Sequence, residues 1–170
     1  MITHHNQSFY ESSTEVLASE GPRLGGLIGR ELERVWLAVD SDGQWFNDDA
    51  VLFEFTGQIQ LEIAVYQVGL LALTWNTVDK KMPANWLGCW DYDLKWQVAA
   101  DDDWVAVFGR VVREIQIVDY DSNLGFGAYA VQFHFDSNSH LVVFNALDEL
   151  GVGDQPIEGP EFGVHPVIAA

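Results

Sequence analysis

Apolar and polar residues alternate over much of this chain. Val51, Phe53 and Phe55 form an every-other-residue stripe, as do Val131, Phe133 and Phe135. A period of two is the pattern of a strand with one face buried, so both segments are predicted strands with these side chains pointing inward. The breaks Thr56-Gly57-Gln58 and Asp136-Ser137-Asn138-Ser139 follow, and then Leu61-x-Ile63-x-Val65 and Leu141-x-Val143 resume the alternation. Each unit therefore contains a predicted β-hairpin. Leu70 to Trp75 reads as a further strand, and Asn76 to Asn85 as a loop. Trp90, Tyr92, Leu94, Trp96 and Val98 alternate with Asp91, Asp93, Lys95 and Gln97, which predicts a strand with an aromatic face and a charged one.

The two hairpins belong to a longer internal repeat. Sliding the chain by 80 positions lays residues 27–66 over 107–146 without a gap, with eight identities in 40 positions. Gly29-Arg30 falls on Gly109-Arg110, Phe46 on Phe126, Ala50-Val51 on Ala130-Val131, and Phe53-x-Phe55 on Phe133-x-Phe135. A rotation near twofold is expected to relate the units. The two glycines are expected where a side chain would clash, and the two arginines are expected to clamp a loop carboxylate.

The fold class that follows is all-β: a barrel or curved sandwich of about eight to ten mostly antiparallel strands, with internal duplication and little helix. Residues 27–150 form the single β domain, with the Trp-rich middle segment 67–106 between the repeats. Residues 1–26, polar and rich in Ser, Gly and Pro around Ser12, Ser13, Gly21 and Pro22, are expected to form a partly ordered N-terminal arm. Ala146 to Leu150 is compatible with one helical turn. Residues 151–170, rich in Gly and Pro yet carrying Ile157, Phe162, Val164 and Val167, are expected to form an extended arm packed along the body or against a second molecule.

Composition narrows the function. The 170 residues hold 8 basic and 26 acidic side chains, a net charge of −18. A surface of that sign repels phosphate backbones, so neither nucleic acid nor an anionic membrane surface is an expected partner. No apolar run approaches the roughly 18 residues of a membrane-spanning helix, and the first residues lack the pattern of a secretory signal. The lone Cys89 excludes an intramolecular disulfide, which fits a reducing, cytoplasmic location. No catalytic motif is present, and no cofactor is expected. Asp40-x-Asp42-Gly43 begins like a calcium loop but fails the spacing beyond, His4 and His5 are terminal, and His134 and His140 read as a neutral surface pair beside a turn, so no metal site is expected.

Two functions then compete. The first is a non-enzymatic acidic interaction protein that docks a basic protein partner, in the general style of inhibitor or immunity-type proteins, without the signature of any family. Its expected contact residues are Asp40, Asp42, Asp48 and Asp49, with Asp119 and Asp121 in the equivalent place of the second repeat. The alternative is a cleft or barrel for a small sugar or cationic ligand, with or without catalysis, in segment 86–104. There Trp90 and Trp96 would stack the ligand while Asp91 and Asp93 hold its polar groups. A filled interior favours the first, and an open aromatic pocket favours the second.

Overall fold

The computed structural model describes residues 8–67, 69–84, 92–120, 127–147 and 149–170. These form eleven strands and two helices: β1 (Phe9–Tyr10), α1 (Ser13–Gly25), β2 (Glu31–Val39), β3 (Val51–Phe55), β4 (Ile59–Tyr66), β5 (Leu70–Trp75), β6 (Lys95–Val98), α2 (Asp102–Val105), β7 (Arg110–Tyr120), β8 (Ala128–Phe135), β9 (His140–Asn145), β10 (Leu150–Gly153) and β11 (Phe162–Pro166). All pairings are antiparallel, in the order β1-β5-β4-β3-β2-β7-β8-β9-β10, with β6 also on β2 and β11 also on β7.

The fold is all-β, and of the two expected forms it is the curved sandwich, because the sheet does not close into a barrel. The path ends at β1 and β10, which do not pair with each other, while β2 and β7 are joined only through Glu31↔Val111 and Leu32↔Arg110. From that short corner the halves diverge and fold face to face. The Phe53 and Phe133 rings meet across the gap at 5.6 Å, and Phe55 and Phe133 at 6.1 Å. The predicted stripes point into this interface: Val35, Val51, Phe53, Phe55, Leu61, Ile63, Ile115, Val131, Phe133 and Val143 are almost wholly buried.

The halves repeat each other in register. Val35↔Phe53 and Phe53↔Leu61 in the first correspond to Ile115↔Phe133 and Phe133↔Leu141 in the second. Even the irregularity between Leu32 and Arg34 recurs between Val112 and Glu114. At the corner Gly29 N–H donates to the Val112 carbonyl and Gly109 N–H to the Leu32 carbonyl, each at 2.8 Å. Such reciprocal bonds are what a local twofold through Glu31 and Val111 produces. The clash expected at Gly29 and Gly109 is not what requires glycine, since an added Cβ would meet nothing within 4 Å. Their φ angles of +90° and +72° are the reason. The arginines clamp carbonyls rather than carboxylates: Arg30 donates to the carbonyls of Gly26 and Thr56, and Arg110 to that of Ala106.

Three segments differ from expectation. The N-terminal arm contains a 13-residue helix, α1, whose N-terminus is capped by the Ser12 hydroxyl accepting from Glu15 N–H. Val16, Glu20 and Leu24 recur every four residues on its buried face, whereas Pro22 and Ala18, whose carbonyl Pro22 cannot bond, are exposed. The strand expected from Trp90 is confined, among the described residues, to Lys95–Val98, with Tyr92 and Asp93 exposed ahead of it. In place of a helical turn at 146–150, Ala146 N–H bonds the Glu149 carbonyl and β10 begins at Leu150. Within residues 151–170, β11 pairs antiparallel with β7.

Both sheets are also covered on the outside, which explains runs such as Val51-Leu52-Phe53 that are buried on both faces. Over the first half, Ala84 and Leu94 pack on Ala38 together with Phe46 and Trp96. Over the second, Ile157 and Phe162 pack on Val118, Ala130 and Val142.

Candidate functional site

The described acidic positions singled out from sequence separate into four environments. Asp40 is structural in part: its Oδ1 accepts the backbone N–H groups of Asp42 and Gln44, each at 2.9 Å, closing the loop after β2. Asp49 is buried and accepts Ala50 N–H at 2.7 Å. Asp42 and Asp48 are exposed on the same loop. Asp119 lies within β7 rather than in a loop. It receives the Ser13 N–H at 2.8 Å and the Ser13 hydroxyl, and it faces His165 Nε2 at 3.2 Å, so it ties α1 and β11 to the sheet. Asp121 lies outside the described residues. Because β2 and β7 run antiparallel from the twofold corner, their far ends point to opposite ends of the molecule.

At the β2 end the loop gathers further acids. Asn47 Nδ2 donates to Glu149 Oε2 at 2.9 Å, and Leu150 N–H donates to the Asn47 carbonyl at the same distance. The Trp45 ring meets Trp104 of α2 edge-on at 6.2 Å, so the loop touches the short helix that follows Asp101 and begins with Asp102 and Asp103. Asp42, Asp48, Asp101, Asp102, Asp103 and Glu149 are all exposed, and segments 40–49, 101–105 and 145–150 contain no Lys or Arg. The contact residues expected from the sequence do not include Asp101, Asp102 and Asp103. The run of three aspartates directly before a Trp was the available signal.

Of the alternative ligand residues, Trp90 and Asp91 lie outside the described residues, as does Cys89. Asp93 is exposed, and Trp96 is seated on a floor of Ala50, Ala64 and Ala72. A different polar group occupies that outer face. Glu54 accepts from Trp36 Nε1 at 2.7 Å and pairs with Lys80, whose ammonium lies 4.6 Å from the Trp36 ring. Burial pushes the Glu54 carboxyl up, but the Lys80 and Trp36 hydrogen bonds hold it below its ordinary value. Glu62 is buried and accepts from Thr74 Oγ1 at 2.5 Å. Its burial, reinforced by Asp49 and only partly opposed by Thr74, pushes its carboxyl up to about 7. Register places Glu62 opposite Leu52 and Thr74, one step diagonally from Glu54, so two carboxyl groups of opposite character share one sheet face.

Among the described residues no helix is long and apolar enough to cross a membrane. Comparison with protein-family models, with curated proteins and with solved structures finds no match to this chain.

Proposed function

We propose that this protein is a non-enzymatic acidic interaction protein that docks a basic protein partner, as an inhibitor or immunity-type protein does, through the end formed by segments 40–49, 101–105 and 149–150. The observation that carries the reading is that three separate segments, all without a basic residue, are joined by the Trp45–Trp104 contact and the Asn47–Glu149 hydrogen bond. A predominantly acidic patch assembled from distant parts of the chain, with Lys95 opposite Val39 as the basic residue at its edge, directs a negative field outward and attracts a partner of opposite sign. The filled space between the sheets and the seating of Trp96 on alanines favour recognition through the outside over a ligand held within.

An arginine-rich peptide is a direct probe. Titrated into the isotope-labelled protein at low salt, it is expected to shift backbone amide resonances of 40–49, 101–105 and 149–150 before others. Replacing Asp42, Asp48, Asp101, Asp102 and Asp103 by Asn should abolish that preference. Shifts spread evenly over the acidic surface, or unchanged in the variant, would count against this end as the docking site.

A further inference from the structure

A separate row of ligating side chains crosses the outer face of the second half. Register sets Glu114 of β7 opposite His134 of β8, and His134 opposite His140 of β9. Directly opposed residues of antiparallel strands project to the same face, so the three stand side by side. The Nδ1 atoms of His134 and His140 face each other at 2.9 Å, with the rings at 81°. Both side chains are only partly buried. The same row of the first half holds Arg34, Glu54 and Gln60, so the histidine pair is not a by-product of the repeat.

Neighbouring amides determine where the His134 proton sits. Ile157 N–H donates to Gln132 Oε1 at 2.5 Å, so the Gln132 side-chain nitrogen donates onward to Gln116 Oε1 at 3.0 Å. Gln116 Nε2 in turn donates to Glu114 Oε1 at 2.7 Å. Gln116 Oε1 is thereby an acceptor, and His134 Nε2, 3.0 Å from it, must carry the hydrogen. In the neutral ring this leaves the lone pair on Nδ1. That Nδ1 then accepts the His140 Nδ1–H, and an imidazole whose N–H is anchored to a side-chain oxygen while its other nitrogen stands beside a second imidazole nitrogen has the arrangement of a metal ligand.

We propose that His134 and His140 chelate a divalent transition-metal ion of the zinc, nickel or copper class through their two Nδ1 atoms. Imidazole nitrogens suit these ions, whereas calcium and magnesium prefer oxygen. Two metal–nitrogen bonds of about 2.0–2.1 Å at a tetrahedral angle hold the nitrogens roughly 3.3 Å apart, a few tenths of an ångström wider than the pair now stands. On binding, His140 loses its Nδ1 hydrogen to water and takes one up on Nε2, so no net proton is released. Among the described residues no three ligating groups converge already. Water completes the coordination, while Glu114, beside His134 in the row, supplies a negative charge that attracts the cation.

Zinc chloride titrated into the full chain at pH 7.5, followed by the ring-nitrogen resonances of the histidines, tests this. One equivalent is expected to shift Nδ1 of His134 and His140 together while His134 Nε2 keeps its hydrogen, and calcium chloride should shift neither. His140→Gln should weaken zinc binding about tenfold or more. Gln116→Met, which removes the anchor but neither ligand, should weaken it by a smaller factor. Zinc that leaves both Nδ1 resonances unmoved, or that binds His140→Gln as tightly as the parent, would overturn the proposal. The resonances of the unaltered chain decide the matter even if a variant fails to fold.

Discussion

At the scale of single residues, surroundings rather than residue type set the chemistry, and Glu62 is the clearest case. It projects onto the face where Ala50, Ala64 and Ala72 underlie Trp96, and burial there favours its protonated form up to about pH 7. The folded chain therefore holds this proton more tightly than the unfolded chain, in which glutamate titrates near 4.5. Such a group leaves stability untouched below pH 4.5, erodes it as pH rises to about 7, and costs a constant amount above that. Glu62→Gln keeps an acceptor for Thr74 without the charge. It is expected to be more stable than the parent at pH 8, by of order 1–3 kcal/mol, with the advantage shrinking towards pH 4.5. Denaturant midpoints at several pH values measure this, and a constant difference between variant and parent would show that the Glu62 carboxyl is not desolvated.

Among elements, the strands were legible in the sequence because the buried stripes have the period of the pleat, and their pairing was legible because both stripes recur at one offset. Helix α1 was missed although Ser12-x-x-Glu15 is the signature of a capped helix start. Gly21 and Pro22 read as breakers, and only the burial of Val16, Glu20 and Leu24 against the sheet shows why the helix survives them. Glu20 adds a tie that no local pattern encodes, accepting from Tyr10 hydroxyl at 2.6 Å and Trp75 Nε1 at 2.8 Å. Burial and the Glu20 carboxylate push the Tyr10 pKa up to about 12. The candidate site was legible only in part, since Asp42 and Asp48 stand out by composition, whereas Glu149 reaches them only through the fold. The sandwich interface offers a test of the element packing. Phe53→Ala and Phe133→Ala should each cost about 3–5 kcal/mol. Because the two rings touch across the sheets, the double variant should cost less than the sum by about 0.5–3 kcal/mol. Strict additivity in a denaturant double-mutant cycle would mean that the rings do not share a contact.

For the molecule as a whole, the net charge of −18 acts on the fold as well as on any partner. Like charges held on a compact surface repel more than on an expanded chain, so the folded state carries a self-repulsion that dissolved salt screens over a Debye length of about 10 Å at 0.1 M. The acidic end concentrates this effect, since Asp42, Asp48, Asp101, Asp102 and Asp103 are exposed there without a Lys or Arg in their segments. Raising sodium chloride from millimolar to about 0.3 M should therefore raise the melting temperature by a few degrees, equivalent to about 1 kcal/mol for a chain of this size. Replacing those five aspartates by asparagine lowers the net charge from −18 to −13. The variant should melt higher than the parent at low salt and respond less to added salt, while losing its preference for cationic probes. A gain in stability joined to a loss of binding is the pattern expected where a surface is held away from its stability optimum by function. A parent whose melting temperature is flat or falls as salt is added would show that the acidic end is too dispersed to generate such a field, and would weaken the docking proposal with it.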